Sequence, residues 1–289
     1  MPTPASAQRL RVGAELRRLR EVVGLSGEQV AAALGWSQPK VSRIEMGRTA
    51  FTVRDVAGLL ALYGVANDVR AELLAATAED TGESAWIVRA GGWPRRQGTV
   101  ASLEAVTRRI RQYQPVVVPG LLQIREYARA IAAAAGADDP DAIAAERLRR
   151  QEALALKDAP RFEVVLDARA LLYRAFPVEV LRDQVTSLVE RVRQPRIDLQ
   201  VVPLGVEHDV VSAVGFTIYE FRQRQSPPVV WIESPTGDVY FSAADDVEQH
   251  ATLFRRLRGV ALGTDESARY LEALVPELER YARQATVRR

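Results

Sequence analysis

The chain has 289 residues, enough for two domains that each bury a core, and its 39 basic residues against 37 acidic ones leave a net charge of +2. Of the basic residues 37 are arginine and only Lys40 and Lys157 are lysine, a bias read as codon usage. The absence of cysteine excludes disulfides, thiol catalysis and Cys-ligated zinc or iron–sulfur sites; with no apolar run of about 18 residues and no N-terminal apolar stretch, the expectation is a cytoplasmic protein without membrane contact.

Residues 8 to 81 are expected to form five short helices. Val12, Leu16, Leu19 and Val23 fall on one face of the first, which stops at Gly24. Ser26 and Gln29 have the spacing of a capping box that opens the second, whose apolar residues are Val30, Ala33 and Leu34 and which Gly35 ends. Ser37 is the expected N-cap of a third helix, from about Gln38 to Glu45, with Pro39 in the first turn and Val41 and Ile44 inward. Thr52 and Asp55 cap a fourth with Val53, Val56, Leu60 and Tyr63 inward, and Asn67 opens a fifth through Leu73 and Leu74.

The second and third of these helices, joined by a Gly-containing turn, make a helix-turn-helix pattern. With Val41 and Ile44 in the core, Gln38, Lys40, Ser42 and Arg43 point away. Gln pairs bidentately with adenine, Arg with guanine and Ser with either, so this face has the chemistry of base readout. Arg48, just past Gly47, suits a phosphate, as do the backbone N–H groups that start the second helix. The run Ser37-Gln38-Pro39-Lys40-Val41-Ser42-Arg43-Ile44-Glu45-Met46-Gly47 resembles the recognition segment of the phage-repressor-like (Xre) family of helix-turn-helix regulators. The resemblance implies binding to double-stranded DNA, with Gln38, Ser42 and Arg43 facing bases, Lys40 and Arg48 at phosphates, and Glu45 structural; a homodimer is expected because one helix-turn-helix reads only a few base pairs. The expected DNA-binding set is therefore Ser37, Gln38, Lys40, Ser42, Arg43 and Arg48. The family commonly has Gln near the start of the second helix, where Gly27 stands here.

Residues 82 to 100 break the periodicity and are expected to be a connection, with a short ordered piece around Trp86 and Trp93. Residues 101 to 289 are expected to be an α+β domain, a mainly antiparallel sheet flanked by helices, so that the whole chain is α+β with an all-α N-terminal unit. Helices are predicted near 101–112, 121–135, 141–157, 177–193, 244–258 and 265–284. Strands are predicted at Phe162–Leu166, Ile197–Val202, Val214–Phe221, Val229–Glu233 and Asp238–Phe241, the last two joined by a hairpin loop at 234–237. Charge divides along the chain: residues 1–50 carry eight basic and four acidic groups, 51–81 two and five, and 82–112 six and two, which leaves 113–289 at −3.

The apolar stretch Tyr113-Gln114-Pro115-Val116-Val117-Val118-Pro119-Gly120-Leu121-Leu122-Gln123 is bracketed by prolines, which suits a sheet edge, a pocket wall or a connection lining the core. Together with Tyr127-Ala128-Arg129-Ala130, Arg147-Leu148-Arg149-Arg150-Gln151, Val164-Val165-Leu166-Asp167, Leu199-Gln200-Val201-Val202-Pro203, Gly215-Phe216-Thr217 and Val230-Trp231-Ile232-Glu233, it resembles the uncharacterised C-terminal domain found behind an Xre-type helix-turn-helix in many actinobacterial regulators. Members are often encoded beside a very small protein, so the resemblance implies sensing of a small protein partner or a small-molecule effector. Tyr113, Pro115, Pro119, Gln123, Tyr127, Arg150, Gln151, Trp231 and Glu233 are the expected ligand- or partner-binding residues. Ile124 departs from the Thr or Ser usual after the Gln.

No catalytic constellation is legible, and neither an enzyme nor a cofactor is expected. His208 and His250 stand apart as two lone histidines, no nucleophile elbow or glycine-rich phosphate loop occurs, and Asp245-Asp246 is read as the acidic first turn of a helix. Glu163, Asp167 and Glu233 are the one candidate carboxylate cluster. Arg222, Arg224, Arg255, Arg256 and Arg258 are read as solvated surface arginines.

Overall fold

The computed structural model describes residues 7–65, 67–78, 85–89, 100–101, 103–104, 106–155, 158–172, 176–222, 226–234 and 237–287. Five helices come first: α1 (Ala7–Val22), α2 (Gly27–Leu34), α3 (Gln38–Glu45), α4 (Val53–Leu62) and α5 (Asn67–Ala78). Both expected capping boxes form, Ser26 with Gln29 at α2 and Thr52 with Asp55 at α4. Gly35 closes α2 in the left-handed conformation at φ 65°, which lets its N–H and that of Trp36 cap the carbonyls of the last turn. Val12, Leu16, Leu19, Val30, Val41, Ile44, Val56, Leu60, Tyr63 and Leu73 share one core, as their spacing requires. Val23 lies past the end of α1 and Val53 at the start of α4, and both are exposed, because an end residue has no neighbouring turn to bury it. Ala33 is exposed as well, and Ala31 takes the inward position in α2.

The rest of the chain builds a seven-stranded sheet: β1 (Ala85–Arg89), β2 (Thr107–Gln114), β3 (Arg161–Asp167), β4 (Ile197–Val202), β5 (Phe216–Phe221), β6 (Val229–Glu233) and β7 (Gly237–Phe241). The spatial order is β1-β7-β6-β5-β2-β3-β4. β2, β3 and β4 run parallel to one another, and the other pairings are antiparallel, so the sheet is mixed. Helices α6 (Arg125–Ala134) and α7 (Pro140–Gln151) cross from β2 to β3, and α8 (Val178–Arg191) crosses from β3 to β4. α9 (Ala244–Val260) and α10 (Thr264–Val287) follow β7. One sheet face, through Ile110, Phe162, Val164, Leu199 and Tyr219, is covered by Tyr127 of α6, Leu181, Val185 and Leu188 of α8, and Leu271, Leu274 and Leu278 of α10. The other face meets Ala251, Phe254 and Leu257 of α9. Leu10 of α1 belongs to the first of these two cores rather than to the N-terminal one.

Two expectations need correction. The helix predicted over 101–112 is interrupted, and from Thr107 the chain is a central strand. Arg and Gln favour helix intrinsically, but pairing with β3 on one side and β5 on the other outweighs that preference. The short ordered piece expected around Trp86 is a strand, Ala85–Arg89, paired with β7, while Trp93 lies outside the described residues. The helix predicted from 121 starts at Arg125, after a 3-10 turn over Gly120–Leu122.

Candidate nucleic-acid interface

The face of α3 expected to meet DNA is positioned by its neighbours. α1 lies against the end of α3 so closely that a Cβ on Gly13 would stand 2.4 Å from the Ile44 carbonyl oxygen, and only glycine fits there. Gly47, at φ 62°, ends the same contact, and its missing Cβ would sit 2.8 Å from the Leu10 Cα. Arg20 of α1 then reaches Glu45 of α3 with both arms of its guanidinium, at 2.6 and 3.0 Å, and donates to the Leu25 carbonyl at 2.8 Å. Hydrogen bonding to Glu45 raises the Arg20 pKa against the effect of burial. Glu45 is itself buried, as the structural role implied for it requires. Beside this pair the Tyr63 hydroxyl is buried with no hydrogen-bond partner among the described residues, and burial first, then the Glu45 charge, pushes its pKa well up.

In and around α3, Ser37, Gln38, Arg43 and Arg48 are exposed and Ser42 is half-buried. Ser37 is the N-cap in extended conformation, but its hydroxyl makes no capping bond and is left to face outward. The Gln38 amide lies beside the first turn of α2, 3.7 Å from where a Cβ on Gly27 would be. In that turn Ser26 Oγ accepts from the Gln29 N–H, while the Gly27 and Glu28 N–H groups precede any intrahelical acceptor. Lys40 stands differently: its ammonium donates to Asp55 of α4 at 2.8 Å and lies 3.8 Å from the centre of the Trp36 ring. Burial raises the Asp55 carboxyl pKa, but the Lys40 and Thr52 hydrogen bonds outweigh it, leaving the carboxyl below its usual value. Sequence reasoning placed Asp55 in a capping box and missed this second role, which no local spacing announces.

In the C-terminal domain most of the singled-out residues hold one loop in place. Gln123 is buried, donates to the Val118 carbonyl at 2.7 Å and accepts from Arg147 at 2.6 Å. Gln151 donates to the carbonyls of Gly120 (3.1 Å) and Gln123 (2.6 Å) and accepts from Arg191 at 2.9 Å. The Tyr127 hydroxyl accepts from the Val118 N–H at 3.2 Å, and its ring meets Phe176 edge-on. Gln184, which the sequence reading did not single out, donates to Leu122 and accepts from the Ile124 N–H, both at 2.8 Å. The stretch from Val118 to Ile124 leaves these backbone groups without strand partners, so polar side chains satisfy them: Tyr127 and Gln123 at Val118, and Gln151 of α7 and Gln184 of α8 from Gly120 to Ile124. Arg150 is fully buried in a two-armed pair with Glu104, at 2.5 and 3.0 Å.

The nine residues are not brought to one place. Tyr113 packs with Phe216 on the α9 face, while Tyr127 and Trp231 lie in the core on the other. Glu233 is exposed at the end of β6, and the buried Trp231 indole N–H has no acceptor among the described residues. Glu163, Asp167 and Glu233 do not converge either. Glu163 accepts from Arg109, Asp167 pairs with Arg169, and Glu233 leaves the other side of the sheet. His250 is a packing residue, between the Phe216 and Phe241 rings with its Nδ1 2.8 Å from the Asp246 carbonyl oxygen. Asp245 and Asp246 occupy the first turn of α9 as expected. Arg258 is not merely solvated, since it bonds Glu163 at 3.2 Å and Asp198 at 2.6 Å. Arg224 lies outside the described residues. Among the described residues no cluster of three or more His, Asp or Glu is placed to hold a metal ion, and no helix is long and apolar enough to cross a membrane.

Residues 97–273, well over half the chain, match the family described as a domain of unknown function, DUF5753. The chain belongs to this family. Ahead of it, residues 11–73 match a helix-turn-helix domain, the region in which α1 to α5 lie. No curated protein matches. Among solved structures, a similar chain is TrmBL2, an archaeal chromatin protein whose structure is described as showing a novel mode of DNA binding; it is 13% identical with a TM-score of 0.32. The match covers 73% of this chain and 66% of that one, and at that TM-score nothing is carried over from it. The DUF5753 member is thus a helix-turn-helix protein of the DNA-binding kind.

Proposed function

We propose that this chain is a sequence-specific transcriptional regulator of the Xre type, a homodimer that reads double-stranded DNA with α3 and whose C-terminal domain receives a small-molecule effector or a small protein partner. One observation carries the DNA half: α3 is braced from behind by α1 through Gly13 and the Arg20–Glu45 pair, and turns exposed Gln38 and Arg43 outward from its first turns. That is the geometry a recognition helix needs in the major groove. The Gly27 and Glu28 N–H groups at the start of α2 are suited to a phosphate. No catalytic step is part of this reading.

The test is a pair of substitutions in the full chain. Arg43→Ala is expected to cost about 1–3 kcal/mol on a cognate duplex and to relax specificity at one base pair, whereas Arg48→Ala weakens all sequences alike and flattens the salt dependence. Binding to genomic fragments that is indifferent to both changes would remove α3 as the recognition helix. A second reading, in which the main task is holding a small protein, is favoured by the exposed Leu204, Val206, Val211 and Val214 between β4 and β5. It predicts a stoichiometric small protein that copurifies with the full chain and is lost from Val206→Ser/Val211→Ser.

A further inference from the structure

On the sheet face that α9 covers, the helix packs over Tyr113, Val165, Phe216, Ile218 and Val230. The first halves of β2, β3 and β4 carry charge on that same face. A β-bulge concentrates it: Thr107 pairs with Phe221 and Arg109 with Glu220, so Arg108 is the extra residue and is re-aimed. Arg108 thereby comes within 2.6 Å of the Glu220 carboxylate, joined by Arg111 at 2.9 Å and Arg109 at 3.5 Å. One carboxylate thus serves three guanidiniums. Arg109 also bonds Glu163, but Glu163 is shared with Arg161 and Arg258, which in turn share Asp198. Five arginines therefore face three carboxylates, an excess of two positive charges among the described residues.

Arg111 is the least provided for. Its side chain is 12% exposed, its one ion pair is to the shared Glu220, and its buried Nε–H finds no acceptor among the described residues. Burial lowers its pKa, with the Arg109 charge acting in the same direction against Glu220. Because an arginine does not shed its proton in a protein, an added anion, not deprotonation, is what balances such a group.

We infer that the bulged segment of Arg108, Arg109 and Arg111 is a binding site for a small oxyanion of the phosphate class. Guanidinium forks match tetrahedral oxyanions through paired N–H···O bonds. The recessed position of Arg111, which is beside the buried Glu163 of β3, favours a compact anion over a duplex backbone, which is too wide to reach it. Binding here is separate from recognition by α3; only a regulatory consequence rests on reading the C-terminal domain as the receiver of an effector.

The test is calorimetric titration of the full chain with pyrophosphate at fixed ionic strength, without DNA. Saturable binding is expected, weakened at least tenfold in Arg111→Gln and in Arg108→Gln, whose exposed side chain can be removed without disturbing the core. Glu220→Gln is expected to tighten binding severalfold, a reversal that a purely structural role does not produce, and Arg182→Gln on α8 to leave it unchanged. The inference is overturned by heats no larger than those of matched potassium chloride, or by equal binding in both arginine variants. It is also overturned if a short duplex displaces pyrophosphate from an Arg43→Ala protein, which would assign the surface to DNA. None of these results alters the effect of Arg43→Ala on duplex binding, so the two readings fail independently.

Discussion

The ammonium of Lys40 has two partners in the folded chain, the Asp55 carboxylate and the Trp36 ring, so a phosphate competes for it rather than finding it waiting. Asp55→Asn separates the two roles. Because the Asp55 carboxyl is held below its ordinary value, the pair's stabilisation is present above the unfolded carboxylate pKa of about 3.9 and is lost as pH falls through the lower folded value. The half-exposed pair is worth about 0.5–1 kcal/mol at neutral pH, so thermal midpoints of wild type and Asp55→Asn should differ slightly at pH 7 and converge as pH falls below the unfolded carboxylate value. In duplex binding the same variant frees the ammonium, and the slope of log affinity against log salt should steepen by about 0.9. An unchanged slope would mean that Lys40 does not meet the backbone. Gln38 and Arg43 were legible as outward residues because helical periodicity turns them away from Val41 and Ile44, and Ser37 was legible as the N-cap. The pairing of Lys40 was not, since it depends on where α4 packs.

At the scale of elements, the close contact of α1 with α3 fixes how α3 is held, and with it the face proposed to read DNA. Gly13→Ala forces a backbone-against-methyl clash that no rotamer relieves, and a loss of about 1–3 kcal/mol in denaturant unfolding is expected, with weaker duplex binding beyond that loss. A Gly13→Ala protein of wild-type stability would show that α1 shifts freely. Gln184 plays the corresponding part in the C-terminal domain. Gln184→Ala orphans the Ile124 N–H and the Leu122 carbonyl, at about 1–3 kcal/mol for each buried group, and a midpoint shift in urea measures it. Most elements were legible because 3.6-residue spacing marked one buried face, as in Val12–Leu19, or because a short apolar run marked a strand buried on both sides, as in Phe162–Leu166. β2 was not: its Arg- and Gln-rich sequence has no such face, and what makes it a strand is pairing with β3 and β5, distant in sequence, where its arginines meet Glu163 and Glu220. The second basic block of the sequence, assigned to a connection, is in part this strand. Gln123 and Gln151 were singled out through the family resemblance, but sequence carries no sign of whether a buried amide serves a ligand or the chain's own carbonyls.

Across the whole molecule, the two units share a residue, since Leu10 leaves the N-terminal helices to join the core of the other domain. A helix-turn-helix of this size reads few base pairs, so two chains on half-sites about 34 Å apart are expected. Sedimentation with a palindromic duplex should give two chains per duplex; one chain bound at full affinity would exclude the symmetric dimer. The family match opens at residue 97, yet the sheet begins at Ala85, where β1 pairs along the whole of β7. A fragment cut at the family boundary therefore strips the cover from β7 and bares a row of unsatisfied N–H and C=O groups. Such a fragment would stick to its own kind edge to edge, and an oligomer measured on it would report the cut, not the protein.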